Sequence, residues 1–172
     1  YRQIKEGHSY LGIIACTSIE DYLNGVIRKH EETLTQREQK LKEYLDVCEF
    51  NAEPVLFCYP NDAGIDRVLA EKIMTRPAYD FTTTDRVRHT LWIASSDEET
   101  GLLSERFASI PHIYIADGHH RTASSALLGL ERRKQNPGVI AEKGIPYEEP
   151  IPPRLLGLVG YLGNITGFDT SV

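Results

Sequence analysis

The chain has 172 residues, 41% of them hydrophobic, and a formal net charge of −6. That is apolar material for one domain with a sizeable core, or one domain and a fragment. Its most basic run, Arg132-Arg133-Lys134, ends a predicted helix, where cations complement the dipole. An acidic chain without a basic face is a poor match for a phosphate backbone, so no nucleic acid partner is expected. Three cysteines, Cys16, Cys48 and Cys58, show no CxxC spacing. They read as reduced thiols in a reducing compartment, and the expected location is cytoplasmic. No apolar run reaches membrane length, so no membrane partner is expected. The first residues read as the interior of a domain, which implies a fragment of a longer protein.

Ser9 to Thr17 is an apolar-rich strand candidate, followed by Ser18 and Asp21 in capping-box relation at a short helical turn. Asn24-Gly25 marks a turn before a short strand at Val26-Ile27. Thr33 to Tyr44 is a highly charged helix, with Thr33 and Gln36 as its capping box and a sparse stripe of Leu34, Leu41 and Leu45. Pro54 to Tyr59 is a strand. Asp62 to Met74 is a helix with Ile65, Val68, Leu69 and Ile73 on its core face, stopped by Arg76-Pro77. Tyr79 to Thr83 and Arg86 to Ala94 are two strands around Thr84-Asp85. Ser96 with Glu99 caps a helix that runs to Phe107. Alternating strands and helices indicate an α+β fold, a mixed sheet packed with helices.

The stretch Ile113-Tyr114-Ile115-Ala116-Asp117-Gly118-His119-His120-Arg121-Thr122-Ala123 organises the chain. Ile113 to Ala116 reads as a buried strand. Ala123, Ala126, Leu127 and Leu130 follow at the spacing of one helix face. Asp117, His119, His120 and Arg121 therefore sit where a strand hands over to a helix. Amides at a helix start are unpaired and the dipole there is positive, which favours phosphate or carboxylate. Gly118 permits a positive φ or close approach of a ligand, and Arg121 can add bidentate contact to phosphate. Taken singly, Asp117 is also a good helix cap, His119 a core histidine and Arg121 a solvated cation.

His30-Glu31, after a short strand, is a second candidate. Glu31 there serves either as a general base toward a hydroxyl or as a solvated acid before a charged helix. His89 is a third, on the Val87/Leu91 face of its strand, where a hydrogen-bonded core histidine is the plainer reading. Asp117, His119, His120 and Glu31 are all potential metal ligands, but adjacent histidines on a helix diverge by about 100°. A dedicated transition-metal cage is therefore not expected. One carboxylate, Asp117, suffices for Mg²⁺ carried in with a nucleotide. No P-loop or GxGxxG is present.

Beyond Asn136-Pro137 prolines and glycines cluster. Residues 138–172 are read as a loop-rich tail with at most one short strand, apart from a domain of residues 1–137.

Tyr114-Ile115-Ala116-Asp117-Gly118-His119-His120-Arg121 resembles the signature of a widespread bacterial and archaeal family of unknown function. That family is similar to the free serine kinases and, more distantly, to the ParB and sulfiredoxin-type nucleotide-binding fold. Asp21-Tyr22, Asn24 to Ile27, His30-Glu31, Pro54 to Tyr59 and His89 with Leu91-Trp92-Ile93 match it in the same order. The resemblance implies a ParB/sulfiredoxin-like core. It also implies phosphates of ATP or ADP held by Gly118, His119, His120, Arg121 and Thr122. Phosphoryl transfer to a small-molecule hydroxyl would use Glu31 as base, with His30, Asp117 and His120 beside it. A homodimer is an admitted assembly. A non-catalytic nucleotide- or phosphate-binding module is the second reading, and a DNA-associated domain the third.

Overall fold

A computed structural model describes residues 1–51, 53–135 and 158–164, the last stretch as backbone. The elements run β1 (Arg2–Lys5), β2 (His8–Thr17), α1 (Ile19–Leu23), β3 (Ile27–Arg28), α2 (Thr35–Cys48), β4 (Val55–Tyr59), α3 (Ala63–Lys72), β5 (Tyr79–Thr82), β6 (Arg88–Leu91), α4 (Asp97–Ala108), β7 (Ile113–Asp117), α5 (His119–Gln135) and β8 (Leu158–Asn164). The fold is α+β: five helices packed with two sheets that share β2. The strand order across both is β3-β7-β4-β8-β2-β1-β6-β5. The outer sheet, β2-β1-β6-β5, is antiparallel throughout. The other is mixed, with β3 parallel to β7, β7 antiparallel to β4, β4 parallel to β8 and β8 antiparallel to β2.

The core follows from period-two burial. Val55, Phe57 and Tyr59 of β4 are all buried, as are Ile113 and Ile115 of β7. They pack with Ile27, Ile65 and Ile110, and Leu69, Leu103 and Phe107 close over them. The opposite face is more open: Leu56 is 36% and Tyr114 46% exposed. The run Ile113 to Ala116, expected as buried throughout, therefore alternates, because only one of its faces is covered.

Several boundaries differ from the expectation. β1 was not foreseen. It pairs with β2 through Glu6 and Gly7, whose φ values of 51° and 81° match a two-residue hairpin turn with positive φ at both positions. α2 begins at Thr35, not Thr33. Its cap residue is Leu34, with no side-chain cap bond, and the Thr33 hydroxyl goes to the Glu38 carboxylate instead. β6 is only four residues long; beyond Leu91 the Trp92 indole N–H donates to the Thr75 carbonyl at 3.0 Å. By contrast, Ser96 caps α4 as read, and Asp62, read as the start of its helix, caps α3; each accepts an amide hydrogen three residues on.

The short strand allowed for in the tail is β8, and it is not peripheral. It pairs with Gly12 to Thr17 of β2 on one side and Val55 to Tyr59 of β4 on the other. Pro137 is therefore no boundary of the sheet. The rest of the tail lies outside the described residues.

Candidate functional site

The hand-over from β7 to α5 is built as the sequence suggested. Gly118 links Asp117, the last residue of β7, to His119, the first of α5. Its φ is +96°, and a Cβ there would lie 2.9 Å from Arg121 Nη2 and 3.0 Å from Val55 Cγ1. Glycine is required for both reasons. Thr122 is fully buried and closes the first turn, its amide donating to the Gly118 carbonyl at 2.9 Å and its hydroxyl to the same oxygen at 3.1 Å.

The side chains then diverge. His119 points inward at 4% exposure and His120 sits over the start of α2, accepting the Leu34 N–H at Nε2, 3.3 Å away. Arg121 folds back onto Asp117, Nη2 to Oδ2 at 2.8 Å, and also pairs with Glu53. Asp117 does not act as a side-chain cap in this arrangement; its carboxylate faces the guanidinium and is 75% exposed.

Glu31 and His30 come to the same place. They follow β3, which lies parallel to β7, so the chain leaving β3 emerges beside the chain leaving β7. Glu31 Oε2 lies 3.5 Å from His119 Nδ1, and the His30 ring meets the His119 ring edge-on at a centroid distance of 4.5 Å. Burial, reinforced by His30, lowers the His119 pKa, so the imidazole is held neutral; Glu31 and Asp117 pull the other way and do not prevail. His119 Nε2 is buried without a hydrogen-bond partner.

The start of α2 belongs to the site, which the sequence did not disclose. α2 and α5 run side by side in the same direction. The contacts climb in register: Leu34 to His120, then the Ser124 hydroxyl to the Glu38 carbonyl at 3.1 Å, Lys42 to Glu131 at 2.6 Å, and Arg132 to Asp46 at 2.8 Å. Two helix N-termini therefore open at one end, beside each other. Each carries roughly half a positive charge and unpaired amides. A concavity of about 370 Å³ runs along the first turns of α2, lined by Leu34, Thr35, Gln36, Arg37 and Lys40. No sequence motif joins residues 34 and 120, so only packing could reveal this. Glu53, the second partner of Arg121, was likewise without a signal.

His89 is not brought here. It belongs to the outer sheet, with Nδ1 2.6 Å from the Tyr1 hydroxyl and its ring stacked on Phe81 at 5.2 Å. Four strands, β4, β8, β2 and β1, separate β6 from β7 in the strand order.

Chemically the site offers a doubly positive helix end, one arginine held among the described residues by exposed carboxylates, a neutral buried imidazole and an exposed carboxylate, Glu31. No described helix is long and apolar enough to cross a membrane. A family model described as "Protein of unknown function (DUF1015)" matches residues 1–148. No curated protein and no solved structure matches the chain.

Proposed function

The chain belongs to the DUF1015 family, and from that premise we propose that it is a nucleotide-dependent phosphotransferase acting on the hydroxyl of a small metabolite. The observation that carries this is the side-by-side opening of α2 and α5 at Leu34 and His120. A helix end favours an anion by about 0.3–1 kcal/mol when exposed. Two such ends give about 0.6–2 kcal/mol, some 3- to 30-fold in affinity. That is too little for a nucleotide, so Arg121 must contribute. Its present partners are exposed carboxylates, at 73% for Glu53 and 75% for Asp117. Exposed pairs are worth about 0–1 kcal/mol, so a phosphate can displace them at small cost.

Glu31 supplies the other half of the reaction. Its carboxylate accepts the proton of the acceptor hydroxyl while the hydroxyl oxygen bonds to the terminal phosphorus of ATP or ADP. The bond from that phosphorus to its bridging oxygen breaks, and the nucleotide departs one phosphate shorter. His119 lies beside the carboxylate, Nδ1 3.5 Å from Glu31 Oε2. Asp117 is the one carboxylate at the turn able to meet Mg²⁺ entering with the nucleotide. Kinship with the ParB/sulfiredoxin-type nucleotide-binding fold is part of the same proposal.

Phosphorus NMR of the chain with ATP or ADP and a panel of amino acids and sugars tests the reading. A phosphate monoester should form, and Glu31→Gln should slow single-turnover transfer by about 10²–10⁴ with donor affinity retained. Full turnover in Glu31→Gln removes the base assignment. Nucleotide binding without any transfer leaves the non-catalytic binding module.

A further inference from the structure

We propose that His30, Glu31 and His119 form a site for one divalent cation of the Zn²⁺ class, separate from any Mg²⁺ that a nucleotide brings. One ligand atom from each of the three lies within 4.8 Å of the others. Around a tetrahedral ion with bonds of about 2.0–2.2 Å, ligand atoms stand about 3.3–3.6 Å apart. Glu31 Oε2 and His119 Nδ1 already lie 3.5 Å apart, a ligand–ligand spacing and a poor hydrogen bond. The widest separation needs to close by about 1.5 Å at most. His30 and Glu31, both exposed and outside any helix or strand, can supply that by side-chain rotation.

The three differ in freedom as a metal site requires. His119 is fixed: it begins α5, is 4% exposed, and its Nε2 is buried with no partner among the described residues. Nδ1, the nitrogen that faces Glu31, is the one placed to take an ion. His30 and Glu31 are adjacent outside any helix or strand, with the backbone bending at Glu31, so neither the helical period nor strand alternation fixes their side chains. Two imidazoles and one carboxylate, with no thiolate, suit Zn²⁺ with a fourth position open; Mg²⁺ and Ca²⁺ prefer oxygen throughout.

Occupation has a consequence for the reaction proposed above, and this consequence rests on that reading. A carboxylate bound to a cation is a poor proton acceptor, so the loaded form is the resting form. The metal site itself stands independently.

The test uses the full chain, stripped with a chelator, then titrated with Zn²⁺ by calorimetry and with Co²⁺ by visible absorption. One equivalent should bind, with Co²⁺ bands of a four- or five-coordinate site and no thiolate charge-transfer band. His30→Ala and Glu31→Gln, both at exposed positions, should each weaken binding by more than about tenfold, the lower end of what loss of a supporting group alone costs. His8→Ala should leave it unchanged. Absence of binding, unchanged affinity in both variants, or a thiolate band that assigns the ion to a cysteine would each overturn the site. Zn²⁺ binding with no phosphoryl transfer even by the Zn²⁺-free chain supplied with Mg²⁺ and nucleotide would uphold the site and refute the kinase; transfer without Zn²⁺ binding would do the reverse.

Discussion

Replacing Gly118 by Ala puts the largest demand on the smallest change. The residue sits at φ +96°, outside the range that L side chains adopt readily, and strain of this kind costs about 1–3 kcal/mol. The added Cβ would also lie 3.0 Å from Val55 Cγ1, a buried group of β4, and 2.9 Å from Arg121 Nη2. The arginine can swing away, since its partners among the described residues are exposed carboxylates. Val55 is 3% exposed and must shift with its strand. A total near the top of that range, about 2–3 kcal/mol, is expected. For a chain of this size that lowers Tm by about 4–12 °C. Anion affinity should fall as well, because the methyl displaces Arg121. Thermal unfolding by circular dichroism gives the first quantity, and calorimetric titration of ATP below the variant's Tm gives the second. A variant with unchanged Tm would show that the turn does not need its positive φ. A destabilised but folded variant with unchanged ATP affinity would move the anion site elsewhere.

Glu53→Gln removes a carboxylate that competes with phosphate for Arg121; ATP affinity should rise by up to about fivefold, the value of an exposed pair, and a fall in calorimetric affinity would contradict the displacement argument. The Asp62 carboxyl is held below the usual carboxylate range by its paired hydrogen bonds from Arg106, with the cap amide of Ile65 adding to this. Its stabilising contribution is therefore complete above the unfolded aspartate pKa and lost as pH falls through the lower folded one. Asp62→Asn should flatten the acid side of stability measured by urea unfolding from pH 6 to 2; an unaltered acid slope would exclude the pair. Deleting residues 136–172 removes β8 and exposes the facing edges of β2 and β4, so cooperative unfolding should be lost; an unchanged midpoint in circular dichroism would show that β8 is dispensable.

The parts of this fold legible in the sequence are those with local causes. Ser96 announced α4 because a cap acts over three residues, and the spacing of Ile65, Val68, Leu69 and Ile73 announced α3. Pro54 to Tyr59 announced β4 because its alternate residues are buried. Gly118 between an apolar strand and a helical stripe announced the turn. What stayed hidden depends on distant partners. Thr33 looked like a cap, but its hydroxyl is better satisfied by the Glu38 side chain, and the Leu34 amide by His120. A short strand was allowed for at β8, but nothing local showed that it would be held between two neighbours. His30 was set beside Glu31 as a catalytic group, yet its edge-on contact with His119 arises only because β3 and β7 pair in parallel. Glu53 and the parallel packing of α2 on α5 carried no local signal at all.

Hydrogen–deuterium exchange with and without ATP or ADP tests the central claim most directly, because the amides at a helix start are the donors an anion would take up. Added nucleotide should slow exchange at Gly118, His119, His120 and Arg121 and, together with them, at Thr35 and Gln36. Protection confined to other segments, or no protection at either helix start under saturating nucleotide, would contradict a phosphate site at the paired ends of α2 and α5.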